Sequence, residues 1–586
     1  MYKSDIEIIK KKIINRHQYD EKQLEVIFSP DNRLLVEAPA GYGKTNTMVS
    51  KIAYMIATKQ IPNPKRLLAL TFSINAAYKI KKDIAQQAPS LLDKNGSNFS
   101  ITDKIFVSNY HGFCRSVLNK YGSVFHTNLK SIDTLQSIDD SNIQKTQTSV
   151  NGLTNDDAFF LSAFCDALKK VNTTYLEANI ERYCTIIIRY LIPNGFISYN
   201  AILTLTLLLF KKHPNVLDFY TKYFSALLVD EYQDTNILSF KIIKNLITAN
   251  TKVILFGDSL QRIYGFIGAV ENLLSTSIPQ FNLTKVKLSK NYRFASNPEM
   301  LRLDNNIRKN AENASKLEIT EDAIIKLYIA ETQLDEALYV VNLSLTILKK
   351  YPESKVAILV KQRNQNVNCI IEAFEHNRIS YFYGLFTDEG TNYLSFHRKC
   401  LYEFIKLIRN KETITKKLSK MHISLVTKNF SKSSEINALI SLLVIFWDKL
   451  FLDFSFLSNE EKINLIKDTF EHNGLKQYIE FVNTNIIIST VHAAKGLEWD
   501  YVILPDMEQD SFPNYYGLCG SCKYKKDCKI IINKENESRF LEELSVFYVA
   551  VTRARRQVFF SASNQDAKEN IKNLSCFLKL PGIKIK

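Results

Sequence analysis

Short apolar runs, each closed by turn residues, recur along the chain and alternate with segments of helical pattern. They occupy residues 34–37, 67–72, 105–108, 226–229 and 253–256, and a second set lies at residues 356–360, 486–490, 501–504 and 558–561. Such runs are typical of parallel strands buried on both faces, and their alternation with helices is typical of an α/β fold. The two sets predict two α/β cores.

The spacing of these runs is uneven, and two long intervals carry mainly helical patterns. At roughly 100–200 residues per domain, a chain of 586 residues suggests about four units. We therefore expect each core to be interrupted by a helical insertion. The predicted bounds are residues 1–108 and 226–286 for the first core, 109–225 for its insertion, 287–388 and 484–586 for the second core, and 389–483 for a short second insertion.

One segment of the first core has the pattern of a phosphate-binding loop. Gly41 and Gly43 allow backbone N–H groups to surround phosphates, while Lys44 can reach the outer phosphate oxygens. The Thr45 hydroxyl can hold Mg²⁺. Ala38 stands where such a loop usually has its first glycine. The predicted ATP-binding residues of this segment are Ala38, Pro39, Ala40, Gly41, Tyr42, Gly43, Lys44, Thr45 and Asn46.

A glycine-rich turn without a ligand is the alternative for this segment. It is disfavoured because a predicted strand, the loop, the Gly-Lys-Thr sequence and a predicted helix coincide. The run at 226–229 then ends in Asp230 and Glu231, which would face the same edge of a parallel sheet. Asp230 is suited to hold Mg²⁺, and Glu231 to deprotonate an attacking water. In isolation these carboxylates would be typical of a solvated strand end.

The chain resembles the UvrD/Rep (PcrA-like) family of superfamily 1 DNA helicases. The similar segments occur in the family's order, from the Q motif through motifs Ia, II, III, IV and V to motif VI. They lie at residues 19–23, 71–77, 109–112, 230–236, 257–266, 291–293, 490–499 and 548–554. The resemblance implies two RecA-like P-loop NTPase cores, each with a mainly helical insertion.

The resemblance also assigns roles around the nucleotide. It implies that Arg293 and Arg553 contact the γ-phosphate, where arginine can stabilise developing charge without losing its proton. Gln261 is implied to sense the same phosphate. For the base and sugar, the implied residues are Gln23 at the adenine edge, Tyr292 stacked on adenine and Glu498 at the ribose.

A second group of residues occupies the family's DNA-contacting positions. Aromatic side chains that stack on bases hold single strands without reading sequence. The resemblance implies base contacts for Phe72, Tyr264 and Phe266, and strand contacts for His111 and His492. An aromatic residue at the end of a buried strand is otherwise more often part of the core.

Charge and composition agree with this interpretation. The chain has 76 Lys and Arg against 60 Asp and Glu, a net charge of +16, which suits an anionic polymer such as DNA. The apolar stretches are too short or too interrupted to span a membrane, and no secretory signal is visible. We expect a cytoplasmic protein. Its nine cysteines are too dispersed for a disulfide framework.

Three cysteines nevertheless cluster at residues 519–528, between the segments similar to motifs V and VI. Cys519, Cys522 and Cys528 have the spacing of ligands for Zn²⁺ or an iron–sulfur cluster. A fourth ligand would have to come from Cys400, Cys576 or a distant histidine. A loop of free thiols is the alternative.

The sequence as a whole predicts an ATP-dependent helicase that translocates 3′→5′ on single-stranded DNA and unwinds duplex at single-strand/double-strand junctions. The direction follows from the resemblance alone. The short insertion at 389–483 leaves a second hypothesis open: a DNA-responsive ATPase subunit that regulates a partner nuclease and unwinds little. UvrD-like components of phage-defence systems such as Gabija are of this kind.

Overall fold

The structure is a computed structural model that divides into two compact units, Met1–Lys290 and Asn291–Lys586. We call these the first unit and the second unit. The residues described are 3–92, 101–265, 268–312, 319–387, 390–408, 413–428, 430–431, 433–521, 532, 535–566 and 568–586.

The first unit is built on a parallel sheet in which, over its described residues, six strands lie in the order β3-β2-β6-β7-β1-β8. A short pair, β4 and β5, lies apart from it. The strands are β1 (Arg33–Glu37), β2 (Arg66–Thr71), β3 (Ile105–Asn109), β4 (Gln136–Ser137), β5 (Phe196–Ile197), β6 (Phe224–Val229), β7 (Lys252–Gly257) and β8 (Thr284–Lys287).

Helices cover both faces of this sheet. They are α1 (Lys3–Arg16), α2 (Glu21–Phe28), α3 (Lys44–Ala57), α4 (Ile74–Leu92), α5 (Tyr110–Tyr121), α6 (Ile143–Ser149), α7 (Asn155–Lys169), α8 (Thr173–Ile186), α9 (Tyr199–Lys212), α10 (Pro214–Tyr223), α11 (Ile237–Leu246) and α12 (Leu273–Phe281). Helices α5 to α10 form the insertion between β3 and β6.

Alternate residues of β1 show why the centre of this strand is apolar on both faces. Leu35 packs into the hydrophobic cluster formed with the insertion helices, whereas Leu34 and Val36 pack into the cluster formed with α3 and α4. All three side chains are buried. Because side chains of a strand point alternately to the two faces, a strand covered on both faces needs apolar residues at every position.

The second unit has a sheet of the same kind. Within the described residues its six parallel strands follow the order β10-β15-β14-β11-β13-β12, and β16 pairs separately with β9. The strands are β9 (Ala323–Ile325), β10 (Leu327–Thr332), β11 (Val356–Val360), β12 (Phe382–Gly384), β13 (Ile486–Thr490), β14 (Trp499–Leu504), β15 (Ala554–Gln565) and β16 (Ile583–Ile585).

The described helices of the second unit comprise those that pack around the sheet and a separate group inserted between β12 and β13. They are α13 (Pro298–Glu312), α14 (Gln333–Lys350), α15 (Gln365–His376), α16 (Thr391–Ile408), α17 (Lys416–Thr427), α18 (Ser434–Leu452), α19 (Asn459–Glu471) and α20 (Glu537–Val551). Helices α16 to α19 form the insertion. Within it, Trp447 Nε1 donates a hydrogen bond to His422 Nδ1 at 3.1 Å, and His422 Nε2 contacts Cys400 O at 2.7 Å.

The predicted fold class is confirmed: two parallel α/β sheets each carry a helical insertion. In the described part of the chain, no helix is both long enough and apolar enough to cross a bilayer. The strands that matter for function are parallel, so their carboxyl ends lie along one edge of each sheet.

Candidate nucleotide and nucleic-acid sites

The loop between β1 and α3 leads into a half-buried helix start that no side chain caps. Gly41 and Gly43 have φ of 85° and 80°, in the left-handed region that favours glycine. Gly43 caps α3 without any side-chain hydrogen bond, and the first turn of the helix carries no acidic residue. Ala38 N donates to Gly257 O at 2.9 Å, which anchors the loop to β7. An uncapped helix N-terminus of this kind attracts anions such as phosphate.

Lys44 is the first residue of α3, and its ammonium group lies between two carboxylates. Lys44 Nζ is 3.2 Å from Asp230 Oδ1 and donates a hydrogen bond to Glu231 Oε1. Burial alone would lower the pKa of Lys44, but the charges of Asp230 and Glu231 outweigh it, so the pKa is raised above its ordinary value. The lysine therefore stays charged at any physiological pH.

Asp230 follows β6 directly and is buried. Burial raises the pKa of its carboxyl, and the nearby Glu231 charge acts in the same direction, whereas Lys44 opposes both. Asp230 Oδ1 lies 3.2 Å from Lys44 Nζ, as an ion pair. It accepts no other hydrogen bond from the residues described. A buried carboxylate oxygen that faces a positive charge suits a metal cation as well, and Thr45 in the first turn of α3 offers a hydroxyl oxygen. These residues fit Mg²⁺.

Glu231 has an unusual backbone. Its φ of 51° and ψ of 43° place it in the left-handed region, which is uncommon for a residue with a side chain. The short 3-10 helix Tyr232–Asp234 starts immediately after it. Gln233 Nε2 donates to Glu231 Oε2 at 2.5 Å, so the carboxylate is held from two sides, by Gln233 and by Lys44. Sequence reasoning did not single out Gln233.

Gln261 lies in a second short turn, after β7. Its Nε2 donates to Asp258 Oδ2 at 2.7 Å, and Asp258 also caps this turn by accepting from Leu260 N at 3.2 Å. The Gln261 side chain is buried. The turn is connected to Gln233, since Asp258 N donates to Gln233 Oε1 at 3.0 Å.

Gln23 is placed against the phosphate loop. Its Nε2 donates to Tyr42 O at 3.1 Å, and its Oε1 contacts His17 Nδ1. A Cβ at Gly43 would lie 2.5 Å from Gln23 Nε2, so a larger residue there would have to displace the Gln23 amide. His17 is buried and contacts Ser50 Oγ at 2.8 Å through its other ring nitrogen. His17 was missed because nothing in the sequence links it to Gln23.

The remaining predicted residues of the loop lie beside these groups. Asn46 Oδ1 accepts from Arg16 Nε at 2.7 Å. Pro39 O accepts from Tyr42 N at 3.2 Å, and Ala40 is buried.

In the second unit, Arg293 and Glu498 form an ion pair. Arg293 also donates to Thr552 O, and Glu498 Oε2 lies 3.4 Å from Arg555 Nε. Burial alone would raise the pKa of Glu498, but Arg293, Arg553 and Arg555 outweigh it and hold the pKa below its ordinary value. Tyr292, next to Arg293, is half-buried.

Arg553 lies at the end of α20 and is buried. Its guanidinium donates to Val549 O at 3.0 Å, to Leu497 O at 3.1 Å and to Thr552 Oγ1 at 3.3 Å. The segments of Arg293 and Arg553 share a buried anchor, because Asp304 accepts from Asn291 Nδ2 at 3.2 Å and from Tyr548 OH at 2.8 Å. Sequence reasoning did not identify Asp304.

Three predicted DNA-contacting residues of the first unit, Phe72, His111 and Tyr264, follow strands whose carboxyl ends share the sheet edge of the phosphate loop. Phe72 follows β2, and its ring stacks on Tyr264, with centroids 5.0 Å apart. His111, at the start of α5, packs edge-on against Tyr199. Phe266 lies outside the described residues. In the second unit, burial and the nearby Lys361, Lys495 and Lys476 lower the pKa of His492 to about 4.

Comparison with known protein families agrees with this geometry. Residues 19–282 match the UvrD/REP helicase N-terminal domain, and residues 391–565 match the UvrD-like helicase C-terminal domain. The chain belongs to the UvrD-like helicase family. The resemblance found in the sequence is thereby confirmed.

Similar proteins extend over nearly the whole chain. A probable DNA helicase II homolog of Rickettsia felis is 24% identical and covers 93% of this chain and 92% of its own length. A probable DNA helicase II homolog of Mycoplasma genitalium is 24% identical, covering 94% and 86%. The ATP-dependent DNA helicase PcrA of Staphylococcus aureus is 23% identical, covering 92% and 82%.

The cysteine segment of this family member is described only at its start. Cys519 is buried; its Sγ donates to Pro513 O at 3.2 Å and accepts from Asp510 N at 3.4 Å. Cys522 and Cys528 lie outside the described residues. Among the residues that are described, no group of three or more His, Cys, Asp or Glu side chains could hold a metal ion. A Zn²⁺ or iron–sulfur site in this segment stays a prediction.

Proposed function

We propose that the protein is an ATP-dependent DNA helicase that translocates 3′→5′ on single-stranded DNA and opens duplex at single-strand/double-strand junctions. The observation that carries the proposal is a shared sheet edge. Lys44 and Asp230 follow β1 and β6, and Phe72 and Tyr264 follow β2 and β7, all at the carboxyl ends of one parallel sheet. A phosphate-binding group and an aromatic pair for bases therefore belong to one rigid element.

Hydrolysis of ATP follows from the chemistry of the loop. The N-terminus of α3 and Lys44 bind the phosphates, and the phosphates compete with Glu231 for the Lys44 ammonium. Glu231 is then available to accept a proton from the attacking water. Thr45 and Asp230 would hold Mg²⁺, which supplies charge neutralisation at the phosphates when bound.

The family motifs assign the remaining contacts to the nucleotide. Arg293 and Arg553 stabilise charge on the γ-phosphate, and Gln261 responds to that phosphate. The contacts to the base and sugar are assigned to Gln23, Tyr292 and Glu498. Support comes from Arg293 already pairing with Glu498, since an anionic phosphate can replace that carboxylate at the guanidinium.

Single-stranded DNA is assigned to the aromatic and histidine residues. Phe72 and Tyr264 offer ring faces for bases, which is sequence-independent binding. His111, His492 and Phe266 occupy further DNA-contacting motif positions. The direction 3′→5′ comes from the family resemblance alone.

The test is ATP hydrolysis with and without single-stranded DNA, followed by strand displacement on duplexes with a 3′ or a 5′ single-stranded tail. We expect hydrolysis to rise strongly with DNA and displacement to require the 3′ tail. Hydrolysis that ignores DNA would overturn the proposal, and displacement from the 5′ tail alone would overturn the direction.

A DNA-responsive ATPase subunit that regulates a partner nuclease is the second candidate. It is favoured by the modest second insertion, which consists of α16 to α19 and a following 3-10 segment, Gly474–Phe481. On this alternative, DNA stimulates hydrolysis but a 3′-tailed duplex stays intact at saturating ATP. Efficient displacement by the isolated protein would reject it.

A further inference from the structure

Gln233 is buried in the first of the two short turns of the nucleotide site, and its side chain reaches the second. It lies in the 3-10 helix after β6, and its side chain is 1% exposed. Gln233 Nε2 donates to Glu231 Oε2 at 2.5 Å, and Gln233 Oε1 accepts from Asp258 N at 3.0 Å. Both ends of one amide group are therefore engaged, each by a different turn.

These two partners fix the orientation of the amide. A carboxylate only accepts hydrogen bonds, and a backbone N–H only donates them. If the Gln233 amide were rotated by half a turn, oxygen would face the Glu231 carboxylate and nitrogen would face the Asp258 N–H. Both contacts would become repulsive. The site thus demands an amide, and a carboxylate or an apolar side chain of the same size cannot replace it.

The backbone beside Gln233 is tightly packed as well. A Cβ at Gly257 would lie 3.0 Å from Gln233 Oε1, so the amide rests against the end of β7. Asp258 in turn caps the turn that carries Gln261. Gln233 therefore joins the segment of Glu231 to the segment of Gln261.

We infer that Gln233 is a positioning residue for hydrolysis, which holds the Glu231 carboxylate by donating to its Oε2. The inference rests on the proposed function, because Glu231 acts there as the general base. When phosphates attract Lys44, Gln233 Nε2 still donates a hydrogen bond to Oε2 of Glu231, the oxygen opposite the one that Lys44 contacts. This contact fixes the carboxylate so that Oε1, the oxygen that pairs with Lys44, is not the one that Gln233 holds.

The expected cost of losing this contact is large but confined to the chemical step. A displacement of a reacting group by about 1 Å can cost roughly 100-fold in rate. Gln233 touches neither the phosphate loop nor its helix in the contacts described above, so binding of ATP should persist. The signature is a fall in kcat without a matching loss of ATP affinity.

The experiment compares Gln233→Leu and Gln233→Glu with the wild type, measuring DNA-stimulated kcat together with ATP affinity under non-hydrolysing conditions. We expect kcat to fall by roughly 100-fold in Gln233→Leu, with ATP affinity within about twofold. Gln233→Glu should be at least as damaging. It keeps the size and the acceptor to Asp258 but sets a second carboxylate against Glu231.

Tyr232→Phe is the matched control. Tyr232 is the preceding residue of the same turn and is equally buried, but its hydroxyl pairs with Ser277 Oγ at 2.7 Å, in α12. Its kcat should stay near that of the wild type. If Gln233 had a merely structural role, Gln233→Glu would lower kcat less than Gln233→Leu does, or Tyr232→Phe would lower kcat as much as the Gln233 variants do. Either result overturns the inference.

Two further outcomes separate this inference from the proposed function. A wild-type protein without DNA-stimulated hydrolysis would overturn the proposed function and the inference together. Stimulated hydrolysis in the wild type, with kcat of Gln233→Leu within about twofold of it, would overturn the inference alone.

Discussion

The aromatic rings of Phe72 and Tyr264 stack on each other, with centroids 5.0 Å apart and planes inclined by 22°. A base inserted between two rings needs about 7 Å, twice the contact distance of aromatic carbons. In this structure a base can therefore stack on an outer face, or the rings must separate to admit it. Each ring shields one face of the other ring from solvent.

Removal of either ring should weaken binding of single-stranded DNA. We expect Phe72→Ala and Tyr264→Ala each to cost about 1–3 kcal/mol of binding free energy, as for other base-stacking aromatics. Because the rings contact each other, the double variant should cost less than the sum of the two single losses. Fluorescence anisotropy with a labelled oligonucleotide measures all three.

Phe219→Ala serves as the control, since Phe219 is a 40% exposed aromatic of the same unit that packs on Tyr223 in the insertion. Its DNA affinity should not change. Strictly additive losses in the double variant would contradict a shared role for the two rings.

Hydrolysis should depend on both partners of the Lys44–Glu231 contact, but in different ways. Glu231→Gln should lower kcat by about 10²–10⁴-fold, the usual contribution of a general base, while ATP still binds. Lys44→Ala should also weaken ATP binding, because it removes a charge that faces the phosphates.

Lys222→Ala is the matched lysine variant for this experiment. Lys222 pairs with Asp218 on the surface of α10, with 73% of its side chain exposed, and should have no effect. Turnover of Glu231→Gln near the wild-type rate would rule out Glu231 as the base.

Arg293→Ala should reduce hydrolysis far more than removal of a surface arginine. Arginines that stabilise a transferring phosphoryl group contribute roughly 10³–10⁵-fold. Arg556→Ala is a suitable comparison because Arg556 is 53% exposed and lies 3.8 Å from Asp500. Steady-state hydrolysis at saturating DNA measures both, and equal rates for the two variants would disprove the assigned role.

The stability of the second unit should fall as the pH drops below 6.5. Burial lowers the pKa of His422 from 6.5 to about 4, while its contact with Cys400 O opposes that shift. The unfolded chain therefore binds a proton between these values that the folded chain does not. The stabilisation is complete above pH 6.5 and is lost toward pH 4, by roughly 3 kcal/mol in total. His492 acts in the same direction.

Thermal unfolding at about pH 7 and about pH 5 tests this dependence. His422→Gln, which does not titrate, should have a smaller pH-dependent change in melting temperature than the wild type. The exposed His376→Gln should behave like the wild type. An unchanged pH dependence in His422→Gln would show that other groups cause it.

The central strands were predictable from sequence, whereas several edge strands were not. Strands β11 and β13 have the predicted bounds: β11 is buried and apolar throughout, and β13 begins with three buried isoleucines. In β8 only Val286 is buried, and in β10 only Ala330. Both of these edge strands are mostly solvated, so they lack the continuous apolar pattern on which the prediction depended.

A similar distinction holds for the nucleotide site. Lys44 and Asp230 stand in segments whose order along the chain is diagnostic, so their association could be predicted. His17 and Gln233 act through hydrogen bonds to other side chains, at positions that carry no signal of their own. Asp304 accepts a hydrogen bond from Tyr548, which lies 244 positions further along the chain. Such a contact is visible only in the folded chain.

The left-handed backbone of Glu231 has a consequence for laboratory evolution of this enzyme. A non-glycine residue in that region costs about 1–2 kcal/mol, which Glu231→Gly would recover in part. A screen for heat resistance alone would therefore favour relief of this backbone strain at the expense of the proposed general base. Directed evolution of this protein has to select for turnover and thermal tolerance together, because the backbone at this position sets the two in opposition.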